Sequence, residues 1–232
     1  DYVFHIAAEA RIQPAIENPI QAVSINSVGT CTVLQCSREA GVKRLMYSST
    51  SSAYGMNQSP NIETQPDDCL NPYSVSKVNG EKLCKMYTSL YGLPTVCFRY
   101  FNVYGERQPL AGDYAPVIGL FFRQKENGQP MTVVGDGLQT RDYTYVKDIA
   151  EAMYLAGESQ NKEIIGEMFN LGTGRNHSVL DIVNLVGGKH SFIDARPGEA
   201  RDTLADNAKA KTLLKWNPAQ RFEDWVEANR PQ

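Results

Sequence analysis

The sequence predicts an α/β protein, a doubly wound parallel sheet joined to a smaller C-terminal α/β lobe. Three observations carry that reading. Buried strand-like runs recur early in the chain, as "YVFHIAA", "VKRLMYSS" and "LPTVCFRYFNVYG". Helical stretches separate them, and strands that alternate with helices pair in parallel through right-handed crossovers. From about Glu106 the elements shorten between Gly and Pro signals, which marks a second structural unit.

The elements follow in order. The chain opens directly in "YVFHIAA", with no polar lead-in. A helix is expected over residues 19–40, and "VKRLMYSS" reads as a buried strand ending in small polar residues. A loop rich in Pro, Asn and Asp covers 55–72. A long helix fits 73–91, with Gly92 as its stop signal. After the strand "LPTVCFRYFNVYG", a helix is expected over 117–126, then strands at "MTVVG" and "RDYTYV". A helix over 147–156 and a strand "MFNLG" come next, then helices at 179–186, 207–214 and 222–228. Residues 1–105 form the first domain and 106–232 the lobe, with about 140–175 returning to the first domain.

Composition narrows the function classes. The chain has 232 residues, 42% hydrophobic and 21% charged, with a formal net charge of -3. That fits a globular protein with a full core and gives no reason to expect nucleic acid as a bulk partner. No apolar run reaches the length of a membrane span. The five cysteines are scattered and never spaced CxxC, so neither a disulfide framework nor a zinc site is expected, and the cytoplasm is the default location. His5, His177 and His190 lie far apart, so no metal site is expected.

The chemistry starts at "NPYSVSK". Tyr73 and Lys77 stand four residues apart and share one helix face. A free phenol has a pKa near 10 and is a poor base at neutral pH. A neighbouring ammonium favours the phenolate, and a shift of about 3 units needs roughly 4 kcal/mol of differential stabilisation. The same spacing also fits an ordinary amphipathic helix. "YSSTSSAYG" adds a second signal, because it places Ser48, Ser49 and Thr50 at a strand end. Ligands of open parallel sheets bind at the carboxyl ends of the strands. A hydroxyl there can pass a proton between substrate and phenolate.

These motifs, with "HIAA", "NSVGT", "RYFNVYGERQ", "GDGLQTRDYTYVKDIAEA", "FNLGTG" and "RPGEARDTLAD", resemble the extended short-chain dehydrogenase/reductases, specifically the NAD-dependent nucleotide-sugar epimerases and dehydratases. The resemblance implies a Rossmann-type sheet and a catalytic set of Thr50, Tyr73 and Lys77. It implies NAD contacts from Ala7, Ala8, Asn26, Ser48, Ser49 and Phe101, with Tyr73 and Lys77 reaching the nicotinamide ribose. It implies that Asn102, Arg141, Arg196 and Glu199 hold the nucleotide diphosphate of a UDP-sugar substrate. Forked arginine donors suit phosphate, and a carboxylate accepts from ribose hydroxyls. Arg141 could instead pair with Asp142 on the surface, and Asn26 and Ser48 could serve local hydrogen bonding. Homodimers of the resembling family pair through helices at the positions of 19–40 and 73–91.

One departure is large. The resembling family opens with a strand and a GxxGxxG turn that seats the pyrophosphate on a helix N-terminus. Neither that turn nor the following acidic residue is present here, so the chain reads as an N-terminally truncated fragment that alone is expected to bind NAD poorly and to fold less cleanly. The reaction is read from a second departure. Dehydratases of the family carry an Asp-Glu pair after the catalytic Thr, where this chain has Ser51 and Ser52, and decarboxylating relatives have a Glu there. A hydroxyl cannot replace a carboxylate as general base at neutral pH. Hydride return to the other face of a keto-sugar remains, which is 4-epimerisation. Thr203, four residues after Glu199, is small and keeps UDP-N-acetylglucosamine beside UDP-glucose as the substrate type. "RDYTYV" is also reminiscent of uronate epimerases. A dehydratase or reductase, and a non-catalytic nucleotide-sugar-binding protein, are the alternatives.

Overall fold

A computed structural model describes residues 1–112 and 115–232. Four parallel strands run in the order β1 (Tyr2–His5), β2 (Arg44–Thr50), β3 (Thr95–Tyr100) and β8 (Met168–Leu171). Between them the chain forms α1 (Ile12–Glu17), α2 (Pro19–Val23), α3 (Gly29–Glu39) and α4 (Pro72–Tyr91). It then forms β4 (Val103–Tyr104), α5 (Val117–Glu126), β5 (Met131–Val134), β6 (Thr140–Asp142), β7 (Thr144–Tyr145) and α6 (Val146–Glu158). After β8 come β9 (Asn176–Ser178), α7 (Val179–Val186), β10 (His190–Ile193), α8 (Ala208–Leu213) and α9 (Phe222–Asn229).

The sheet is covered on both faces, so its strands read as nearly continuous apolar runs. Side chains alternate across it. Leu45, Tyr47 and Cys97 pack with Leu34, Cys84 and Tyr87 from α3 and α4. Met46, Val96 and Phe98 face Ile149, Met153 and Trp216 on the other side. The same alternation turns Ser49 and Arg99 toward α4, and Ser48 and Tyr100 away from it.

The region expected as one helix over 19–40 is broken into three pieces. A π-helical turn at Ser24–Val28 separates α2 from α3. Wide turns of this kind recur at functional positions, and here the turn carries the buried Asn26. The helix α1 and the strand β10 had no sequence signal of their own. "RDYTYV" divides into two short strands, β6 pairing antiparallel with β9 and β7 pairing parallel with β4.

The lobe has its own core, in which Phe121, Phe122, Met131, Val133, Ile182, Val183 and Trp225 meet. The chain returns to the first domain at α6 and β8, and again at α8 and Trp216, whose indole donates to the Asp148 carbonyl at 2.7 Å. That second return lies beyond the stretch expected from the sequence.

Helix α4 lies against β2 at Gly80, where an added Cβ would collide with the Tyr47 hydroxyl. That hydroxyl donates to the Lys77 carbonyl at 3.2 Å. Overpacking a tight core contact costs about 1–3 kcal/mol, more than the roughly 1 kcal/mol that alanine gains over glycine within a helix. Gly80→Ala is therefore expected to lower the urea unfolding midpoint, although at an exposed helix position the same change would raise it.

Candidate active site

The site forms where β2 ends. Ser48 exchanges a hydrogen bond with the Tyr100 hydroxyl at 2.9 Å, and Ser49 donates to Glu81 Oε1 at 2.5 Å. Thr50 Oγ1 accepts from the Ser52 backbone at 3.1 Å, which starts the short 3-10 turn Ser51–Tyr54.

Helix α4 brings the second half. Asn71 caps it by accepting from the Ser74 backbone at 2.8 Å, and Ser74 reciprocates in a capping box with Pro72 in the first turn. The cap places Tyr73 in the first turn, with Thr50 hydrogen-bonded to its phenol. Asn71 also donates to the Gly198 carbonyl at 2.8 Å, tying the helix start to the segment that carries Arg196 and Glu199.

Lys77 lies one turn further on and is 3% exposed. Its ammonium sits 4.4 Å above the centre of the Tyr47 ring. Burial draws its pKa down to about 8, while the charge of Glu81 pulls in the other direction. The phenol of Tyr73 is pushed up by burial, with Thr50 and the charge of Arg11 pulling it back. Lys77 is not among the groups that move it. In the protein by itself the ammonium rests on Tyr47, so the phenolate-favouring role expected of Lys77 is left to the state in which the cofactor is bound.

A cavity of about 620 Å³ opens between the first domain and the lobe. It brings together Ser49, Thr50, Tyr73, Asn102, Arg141, Arg196, Glu199 and Thr203. Arg11, Arg141 and Arg196 line it, and Glu199 is the only carboxylate among the described lining residues. Arg141 pairs with Glu199 at 3.6 Å and donates to the carbonyls of Thr140 and Arg201. The pairing of Arg141 with Asp142 does not form. Asp142 is fully buried and instead accepts from Thr173, Gly174 and Ala205. Arg196 is exposed at the cavity and makes no hydrogen bond or ion pair with the described residues. The balance favours an anionic ligand, since forked guanidinium donors match phosphate oxygens.

The other expected residues lie elsewhere. Ala7 and Ala8 follow β1 outside the cavity lining, and Ala7 is exposed. Asn26 is spent on structure: it accepts from the Glu9 backbone and donates to the Glu9 carbonyl and to Ser76. Phe101 is fully buried against Tyr54 and Ala205. Ser48 and Lys77 do not line the cavity. Sequence reasoning passed over Arg11, Gln139 and Tyr143, which do line it. Of these only Gln139 and Tyr143 sat in a recognised motif.

The NAD dependent epimerase/dehydratase family matches this chain over residues 1–172, and the chain belongs to that family. It is 36% identical over 234 residues to a UDP-glucuronate 4-epimerase of Thermodesulfobacterium geofontis, covering 97% of this chain and 70% of that protein. The solved structure of a UDP-glucose 4-epimerase with UDP-glucose from Thermotoga maritima superposes with a TM-score of 0.92 at 33% identity. That match covers 97% of this chain and 74% of the other. A UDP-glucuronic acid 4-epimerase from Bacillus cereus, in complex with UDP-glucuronic acid and NAD, gives a TM-score of 0.91 at 32% identity, covering 98% and 73%.

The residues present fit the nicotinamide end of NAD. Lys77 is a buried ammonium with no carboxylate within ion-pair distance among the described residues and with a ring as its neighbour. Ribose hydroxyls would supply the acceptors it lacks.

Burying Lys77 has a cost that pH reveals. Its pKa in the folded chain is about 8, against about 10.4 in an unfolded one. Below pH 8 both states are protonated and the folded state bears the full desolvation cost. As pH rises from 8 toward 10.4 the folded state releases the proton first and the cost fades. Lys77→Met is expected to stabilise the chain by roughly 2 kcal/mol at pH 7. Urea unfolding at pH 7 and pH 10 should show that gain shrinking at the higher pH.

Proposed function

We propose that this chain carries the substrate site and the proton-transfer groups of an NAD-dependent UDP-sugar 4-epimerase. The observation that carries the reading is the cavity that Thr50 and Tyr73 line together with Arg141 and Arg196, with Ser51 and Ser52 lining it where elimination would need carboxylates. Tyr73 takes the proton of the sugar C4 hydroxyl, and Thr50 relays it over the short gap. Lys77, mostly protonated at neutral pH, holds the cofactor ribose and favours the phenolate once that ribose draws it toward Tyr73. NAD, held at its ribose by Lys77, would supply the hydride acceptor and donor for C4 of the sugar. Tyr73 then gives the proton back, so the chain ends each cycle in its starting state.

Arg141 and Arg196 hold the diphosphate, Glu199 accepts from a nucleotide ribose hydroxyl, and Asn102 donates beside them. Before substrate arrives, Glu199 keeps Arg141 aligned. Thr203 supports a sugar of the UDP-glucose or UDP-N-acetylglucosamine type, because it is small, lines the cavity and carries a buried hydroxyl without a hydrogen-bond partner. Five unpaired thiols suit a reducing, cytoplasmic setting. Two chains would pair through α2, the π turn and α4, where Ile20 and Val28 are 82% and 60% exposed. Sedimentation should then give twice the monomer mass, and Ile20→Glu should return it to one.

Tyr73→Phe tests the reaction. It is expected to lower turnover of UDP-sugars by about 10²–10⁴-fold while leaving UDP-sugar affinity nearly intact. Unchanged turnover would overturn the mechanism. A panel of UDP-glucose, UDP-N-acetylglucosamine and UDP-glucuronate, assayed without added reductant, identifies the substrate.

A further inference from the structure

Residues 73, 77 and 81 lie on one face of α4, one turn apart. The third is Glu81, a buried carboxylate that the mechanism above does not use. Its environment is built from three elements. Arg99 of β3 grips it with two bonds, Nε to Oε1 at 2.9 Å and Nη2 to Oε2 at 2.7 Å. Ser49 of β2, the residue before Thr50, donates to Oε1 at 2.5 Å. Asp67, in the loop before α4, takes a further bond from Arg99 at 2.6 Å.

We propose that Glu81 is a positioning residue for the Tyr73–Lys77 pair: clamped by Arg99, its carboxylate fastens α4 to the strand ends through Ser49 and is the fixed negative charge that keeps Lys77 an ammonium. The inference about turnover rests on the epimerase reading, whereas the coupling of Glu81 to Lys77 does not.

The groups facing Lys77 leave Glu81 as the one that matters at neutral pH. From β1 comes His5, whose pKa is lowered by burial and then by the Lys77 charge itself, so it is neutral. From β2 comes Tyr47, whose phenol is pushed up by burial. From β3 comes Cys97, held up by its bond with Cys84 and by burial. Cys84 is on α4 itself, and Cys31 of α3 lies in the same cluster. Among the groups that act on Lys77, Glu81 is the strongest after burial, and two bonds from Arg99 hold its carboxylate in place. Arg99 is not among them.

The sign follows from this. Removing the Glu81 charge leaves the desolvation of Lys77 unopposed, so its pKa falls. An ammonium needed for turnover is then lost at lower pH, and the alkaline limb of the pH–rate profile moves down by the same amount. A residue that only held the fold together would lower activity at every pH without moving that limb.

The test is a titration of Lys77 in the whole chain labelled with lysine carrying 13C at Cε, its resonance assigned by its loss in Lys77→Arg. Glu81→Gln keeps an acceptor for Ser49 and removes the charge. Its Lys77 midpoint is expected about one pH unit below wild type, a roughly tenfold change in proton affinity. If Glu81→Gln leaves Arg99 too poorly paired to fold, the double variant Glu81→Gln/Arg99→Gln carries no unpaired buried charge there. It should show the same downward shift. A midpoint unchanged from wild type in a folded variant overturns the proposal. In turnover assays the alkaline limb should move to lower pH by the same interval, with KM for the UDP-sugar unchanged. A limb that stays put while Lys77 shifts overturns the positioning role. If wild-type chain turns over no UDP-sugar even with NAD at saturating concentration, the epimerase reading fails, and the Lys77 titration still decides the coupling.

Discussion

The fully buried guanidinium of Arg99 is the constraint around which the first domain and its site are arranged. It is 1% exposed, and a charge so placed is tolerable only when opposite charge is close at hand. Glu81 and Asp67 supply opposite charge, and the Tyr54 ring lies 4.6 Å away beneath it. Those partners come from α4, from the loop before it, and from the turn after β2. One ion cluster therefore fixes where the helix, the strand end and the loop sit relative to one another. Removing one member of such a buried pair costs about 3–5 kcal/mol, enough to unfold a marginal domain. Tyr54 carries the constraint onward by donating to Asn170 at 2.7 Å, and Asn170 in turn holds the Asn61 and Asp206 carbonyls.

The electrostatics of the site follow from that framework. The framework buries Lys77 and Tyr73 on one face, and burial opposes the charged form of each. Without a ligand the ammonium rests on the Tyr47 ring and the phenol keeps its proton. At neutral pH the lysine is thus a buried ammonium and the tyrosine a neutral phenol, and a bound ribose and a cationic ring would change the balance by giving the ammonium acceptors and the phenolate company. The site does not hold a finished base.

Much of this was legible in the sequence because it is local. The spacing of Tyr73 and Lys77, the cap at Asn71 and the stop at Gly92 are decided within a few residues, and α4 spans Pro72–Tyr91. Strand runs such as "VKRLMYSS" were legible because both faces are buried, which writes burial into every position. What was not legible depends on pairings far apart in the chain. Asp142 was open to a surface pairing with Arg141, yet it is the hub that holds Thr173 and Ala205, and Arg141 turns to Glu199 instead. Asn26 was open to a cofactor contact or to local hydrogen bonding, and only Glu9 and Ser76, 17 and 50 residues away, show how its amide is used. Glu81 gave no signal except its distance of two turns from Tyr73, and its meaning appears only when Arg99 and Ser49 arrive from neighbouring strands.

The lobe meets the domain through one segment that has to do two things. The stretch carrying Arg196, Glu199, Arg201 and Thr203 lies along the cavity, so it must be held in place and also be able to admit a ligand. Its inner anchors are neutral and directional: Gly198 accepts from Asn71, Thr140 exchanges bonds with Arg201 and Thr203, and Leu204 accepts from Asn61. Its outer anchor is ionic, a forked pair of Arg201 with Asp136 at 2.8 Å on both arms. An exposed pair of this kind adds little to stability because solvent screens it. It does fix direction, since a guanidinium fork accepts only one orientation of carboxylate. Arg141 then shares the Arg201 carbonyl with the strand backbone, so a residue that lines the cavity and the residue that closes the outer clamp are joined through one peptide group.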